Sequence, residues 1–188
     1  MSPLEDHLQW LGLHKETILE PERPIVDPHH HLWPGESHYL LEDLWLDTHG
    51  GHNVKKTVYI DMDGVIVDFG KADTDWFDKH PHLVDRYKGF PDHIQGLFRI
   101  AKPIDDAIDS IHKLHDSGKY DLFIATSAPW GNPQSLTDKR FWLEDYFGDL
   151  FHKKLFTTHR KDLLIGDYLI DDRLKNGAGD FKLSLIHI

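Results

Sequence analysis

The sequence predicts an α/β fold built on a mostly parallel sheet, and three observations carry that prediction. Short apolar runs rich in β-branched and aromatic residues recur at 58–60, 120–125, 155–158 and 168–170, the pattern of buried strands. Amphipathic stretches at helical spacing separate them. Each run ends in Asp, Thr or Lys where chemistry is usually placed, outside the carboxyl ends of parallel strands. Strands alternating with helices imply right-handed crossovers within one sheet.

The central stretch is 58–69, Val-Tyr-Ile-Asp-Met-Asp-Gly-Val-Ile-Val-Asp-Phe. It delivers Asp61 at the strand end, Asp63 two residues on, and Gly64 where the chain must turn. Residues 70–101 hold Trp76, Phe77, Leu83, Val84, Tyr87, Phe90, Leu97 and Phe98 among charged residues, with Pro81 and Pro91 as breaks. This reads as a small, mostly helical insertion that covers a site. Pro103 is expected to open a helix carrying Ile104, Ala107, Ile108, Ile111 and Leu114 on one stripe, ended by Gly118. The second strand delivers Thr126 and Ser127, and a Pro- and Gly-rich loop with Trp130 leads to a helix from about 135 to 147. The third strand leads to Lys161, and the fourth delivers Asp171 and Asp172.

The composition bounds the function. The chain has 188 residues, 39% apolar, enough for one domain with a core and short for two. A formal charge of -11 argues against binding of nucleic-acid polymers, which takes basic surface, while a small phosphorylated ligand remains compatible. With no cysteine, disulfides and thiolate catalysis are excluded. No signal peptide and no membrane-spanning apolar run is visible, so a soluble, cytoplasmic protein that meets no membrane is expected.

Four strand ends thus present Asp61 and Asp63, Thr126 and Ser127, Lys161, and Asp171 with Asp172. Phosphoryl transfer needs these groups. One carboxylate can attack phosphorus, and a second can protonate the leaving oxygen and then activate water. Hydroxyls, backbone N–H groups and a lysine hold the equatorial oxygens, and clustered aspartates suit Mg²⁺.

The sequence around these residues, with 125–130, 138–142, 158–161 and 166–173, resembles the four motifs of the haloacid dehalogenase-like phosphatases. More narrowly, it is similar to the 5'(3')-deoxyribonucleotidases over about residues 58–182. The resemblance implies a three-layer Rossmann-like core with a cap at about 70–101, shorter than in the animal enzymes. It implies a Mg²⁺-dependent phosphomonoesterase acting on nucleoside monophosphates through an aspartyl-phosphate. Asp61 is then nucleophile and metal ligand. Asp63 is acid/base, with its main-chain carbonyl on the metal. Thr126, Ser127 and Lys161 hold the phosphoryl group, and Lys139 touches substrate phosphate. Asp172 is the acidic metal ligand, and Asp171 orders Lys161 or a metal-bound water. Phe69 corresponds to an aromatic near the nucleoside pocket, or else packs under the cap; the role of Trp130 stays open. Related enzymes are often dimers, which makes a homodimer the implied assembly.

Residues 1–57 read differently, as an irregular segment broken by Pro21, Pro24, Pro28 and Pro34. Asp27, His29 and His31 follow a short strand and would make half a metal site, or a loop histidine cluster. With 39–44 and 52–60 this segment resembles the start of the amidohydrolase-type metal-dependent hydrolases, whose barrels need about 250 residues. The alternatives to phosphatase activity are therefore a hydrolase fragment of that type, or a phosphate-binding module without turnover. Residues 183–188 match a reading frame of a transposon-end sequencing adapter and are expected to be a non-native tail. With the change of family near residue 60, this suggests a frame joined from two genes and cut short before the last strand and helix of the core.

Overall fold

A computed structural model of the chain describes residues 21–26, 53–182 and 184–187. The chain divides into two units, Met1–Lys56 and Thr57–Ile188. In the first, β1 (Pro24–Val26) runs parallel to the opening residues of β2 (Asn53–Ile60), with Ile25 opposite Val54. Asp27, His29 and His31, read as a loop histidine cluster or half a metal site, lie outside the described residues.

The second unit holds β3 (Tyr120–Thr126), β4 (Leu155–Thr157), β5 (Tyr168–Asp171) and β6 (Ser184–His187). With β2 they run in the order β4-β3-β2-β5-β6. Pairs β2/β5, β3/β4 and β5/β6 are parallel. The chain winds from β2 out to β4 on one side, then returns to β5 on the other. The carboxyl end of β2 is therefore the switch point at which open α/β sheets bind ligands. Residues 184–187, expected to be a tail, sit beside β5 with Ile170 opposite Ile186, so the strand position that the sequence leaves empty is taken.

Alternation along the strands sends side chains to both faces. Val58, Ile60, Leu122 and Ile124 face one core with Trp142, Leu143, Phe147 and Phe151, while Tyr59, Ala125 and Leu169 face another with Ala178 and Phe181. The first face packs against helices α4 (Ala107–Asp116) and α5 (Gln134–Phe147). Among the described residues the second carries 3₁₀ turns at Lys161–Leu163 and Ala178–Asp180, which pack on each other. The expected three layers are present, one of them thin.

The expected cap is helical: α1 (Phe69–Lys79), α2 (Val84–Tyr87) and α3 (Leu97–Ile100), with 3₁₀ turns at Pro81–Leu83 and Pro91–His93. Asp68 caps α1, accepting a hydrogen bond from the Lys71 amide. Helix α4 begins at Ala107 and not at Pro103. Pro103 pairs with Val67 in an isolated bridge and the Ile104 amide donates to the Ile66 carbonyl, so this stretch is tied to the cap's entry strand before the helix starts.

Trp142 is fully buried, and its indole N–H donates to the Ala101 carbonyl at 2.8 Å, just past α3. Trp142→Ala is expected to lower the free energy of unfolding by about 3–5 kcal/mol in urea denaturation, by cavity formation. Trp142→Phe keeps most of the packing but orphans that carbonyl, and is expected to cost about 1–3 kcal/mol.

Candidate active site

Strand β2 ends at Ile60, and the next amide, that of Asp61, donates to the Ile170 carbonyl of β5 at 2.9 Å. The neighbouring strand thereby fixes where the Asp61 carboxylate emerges. Met62 then turns the chain: its carbonyl accepts from the amides of Val65, Ile66 and Val67, so Asp63 rides on a tight loop. Gly64 sits at φ +84°, and a Cβ there would collide with the Asp172 carboxylate. A side chain at this position would be strained by the left-handed backbone and would push the Asp172 carboxylate out of place.

Two buried ammonium groups organise the rest. Lys139, 1% exposed on α5, donates its three protons to Asp63 Oδ2 (2.6 Å), Thr126 Oγ1 (2.8 Å) and the Ser127 carbonyl (2.7 Å). A phosphoryl oxygen reaching Lys139 therefore displaces one of these partners. Lys161, 2% exposed, donates to Asp171 Oδ2 at 2.5 Å and lies 3.0 Å from Asp61 Oδ1. The second contact is a charge contact without an aligned N–H, since Asp61 Oδ1 has no hydrogen-bond donor. The other oxygen of Asp171 accepts from the Arg173 amide at 2.9 Å. Both oxygens of Asp171 are thus engaged in holding Lys161 and the following turn.

Burial raises the Asp63 carboxyl above the ordinary aspartate value; Lys139 opposes the shift and Asp61 adds to it. Burial likewise raises Asp171, against the pull of its bond from Lys161.

Asp61, Asp171 and Asp172 offer carboxylate oxygens that all lie within 4.8 Å of one another. Oδ1 of Asp61 and Oδ1 of Asp172 are buried without hydrogen-bond partners. Three clustered carboxylates, two of them with a buried oxygen that accepts no hydrogen bond, fit a divalent cation such as Mg²⁺. The Asp63 carboxylate lies outside this cluster, paired to Lys139.

The structure thus brings together Asp61, Asp63, Thr126, Lys139, Lys161, Asp171 and Asp172. Ser127 joins through its carbonyl on Lys139, and its hydroxyl accepts from Asn176 Nδ2 at 3.1 Å. Phe69 stacks on Phe98 (centroids 4.7 Å apart), and Lys139 Nζ lies 4.7 Å from the Phe98 ring centre. Trp130 is 94% exposed and lines a groove of about 330 Å³ with Pro129, Leu136 and His159, none of which holds the carboxylates. From sequence alone no role falls to Phe98, Asn176 or Arg173; Arg173, inside the 166–173 motif, donates its Nε–H to Asp172 at 3.2 Å. Arg173, next to the paired aspartates, was the one marked by position; the other two gain their roles only through distant partners.

Removing one member of a buried ion pair strands the other. Lys161→Met is expected to destabilise the fold by about 3–5 kcal/mol in chemical denaturation with chelator present. Adding Asp171→Asn to it is expected to restore part of that loss, giving a clearly non-additive double-mutant cycle.

With this geometry the chain can be set beside known proteins. Residues 74–181 match the family described as 5' nucleotidase, deoxy (pyrimidine), cytosolic type C protein. A protein of Vibrio phage KVP40 assigned as a 5'(3')-deoxyribonucleotidase is 43% identical over 135 residues, covering 71% of this chain and 75% of the phage protein. The human cytosolic-type 5'(3')-deoxyribonucleotidase is 28% identical over 140 residues, covering 62% of this chain and 70% of the human one. The family match starts within α1 and takes in the rest of the cap, the β3 and β5 ends and both buried lysines, and the chain belongs to this nucleotidase family of phosphatases.

Proposed function

We propose that this chain hydrolyses nucleoside monophosphates, deoxy-pyrimidine ones foremost, in a Mg²⁺-dependent reaction. The observation that carries this is the division of labour between two aspartates two residues apart. Asp61 stands in the carboxylate cluster beside Lys161, while Asp63 is turned to Lys139, which also holds Thr126. The names of the relatives support the nucleotide class.

In this reading Asp61 attacks phosphorus and carries the phosphoryl group as an acyl phosphate. Asp63, whose raised pKa keeps its proton to higher pH, protonates the leaving nucleoside oxygen and then takes a proton from the resolving water. Lys161 and Lys139 offset the charge gathered on the phosphoryl oxygens. Mg²⁺, held by Asp61 and Asp172 with Asp171 behind them, would neutralise phosphate charge and fix its orientation. A homodimer and a cytoplasmic setting belong to the same proposal. No helix among the described residues is long and apolar enough to cross a membrane.

Phosphate release from a panel of deoxy- and ribonucleoside monophosphates is the direct test. Turnover is expected with Mg²⁺, lost with chelator and lost in Asp61→Asn, but kept in the His29→Ala/His31→Ala double variant. Nucleotide binding without phosphate release from a folded chain would instead indicate a binding module. Asp63→Asn is expected to lower kcat/KM for nucleoside esters by about 10²–10⁴-fold and kcat/KM for p-nitrophenyl phosphate far less, because that leaving group departs without a proton and the shared water step does not enter kcat/KM. The role of Asp63 as acid also fixes a sign: nucleoside ester turnover falls as pH rises through the raised Asp63 pKa and its proton is lost.

A further inference from the structure

Asn132 is fully buried in the turn before α5. Its Nδ2 donates to two carbonyls of the cap, Asp92 at 3.0 Å and Ile94 at 3.1 Å. Both partners are acceptors only, so the amide must present its nitrogen to them, and Oδ1 is left buried without a partner. Such an orphan persists where the opposite end of the amide is needed. The turn itself is fixed: the Asn132 amide donates to the Pro129 carbonyl, and its carbonyl accepts from Ser135. Between the two clamped carbonyls stands His93, stacked on Phe90, and its ring lies so near Gly131 that a Cβ there would strike it.

Helix α3 comes directly after the clamped segment in the chain and carries Phe98. That ring is the wall over Lys139 Nζ and stacks on Phe69, the first residue of α1. Asn132 lies two residues before α5 begins at Gln134, and Lys139 five residues after that start, so the entry turn and first turns of α5 link the cap's return segment to the ammonium at the reacting groups.

We propose that Asn132 is a positioning residue: it locks residues 92–94 of the cap to the α5 entry turn and so sets where Phe98 meets the organic part of a nucleotide substrate. It acts on the choice between nucleoside esters and small phosphate esters, and not on the bond broken. The inference rests on the phosphatase reading above, and part of its test does not.

The experiment compares wild type with Asn132→Leu, which keeps the volume and removes both donors. Amide hydrogen exchange needs no substrate; residues 91–101 are expected to exchange about tenfold faster in the variant, with the sheet strands unaffected. Steady-state kinetics then give the ratio of kcat/KM for a deoxynucleoside monophosphate to kcat/KM for p-nitrophenyl phosphate. That ratio is expected to fall about tenfold, with the loss in KM for the nucleotide. Gly131→Ala presses on His93 from the other side of the same junction, at an exposed position, and is expected to move both readouts in the same direction. Wild-type exchange in Asn132→Leu, or in Gly131→Ala where the first variant does not fold, overturns the clamp. Faster exchange with an equal loss for both esters overturns the selectivity role. A wild-type chain that cleaves neither ester overturns the phosphatase reading and with it that selectivity role, while exchange still decides the clamp.

Discussion

A buried ammonium group is tolerable only when its protons and its charge are met by the protein, and among the described residues Lys139 and Lys161 are two such groups. Lys139 reaches from α5 to the loop after β2 and the end of β3; Lys161 reaches from a 3₁₀ turn to the ends of β2 and β5. Three strand ends are tied together by these two side chains. The carboxylates gain partners in an apolar setting, and the lysines gain a reason to be there. The same pairing brings the groups required for phosphoryl transfer to one point on the sheet edge.

Helix α5 extends the arrangement into the cap. Its buried face carries Lys139 to the reacting groups and Trp142 to the carbonyl at the end of α3, with Asn132 just ahead of it holding the cap's return segment. Cap and core meet along one helix, and a shift of the cap is also a shift of Phe98 against the ammonium at the centre of the site. The second face of the sheet is built differently, with an aromatic group of Tyr59, Phe123, Phe156 and Phe181 under short turns.

Much of this was legible in the sequence because it is local. Asp61 and Asp63 follow an apolar run that can only be a strand, and the later site residues also follow runs of that kind; the cap reads as helical from its spacing. The start of α4 was misplaced because Pro103 satisfies a helix-opening rule, yet its partner, Val67, lies 36 residues away in sequence. Residues 183–188 read as a non-native tail because they match an adapter reading frame, although Leu and Ile at these positions suit the strand at 184–187 beside β5. The roles of Phe98, Asn132 and Asn176 were invisible for one physical reason: each depends on a contact with a distant segment, and nothing in their own neighbourhoods requires it.

The central claim is that Asp61, and no other carboxylate of the cluster, forms the bond to phosphorus. Enzyme is quenched during turnover and treated with borohydride, which reduces an acyl phosphate to an alcohol, and peptide mass spectrometry locates the change. Reduction at Asp61 alone, absent without substrate, is the expected result. Active enzyme with Asp61 untouched, or with reduction at Asp63, Asp171 or Asp172, would contradict it.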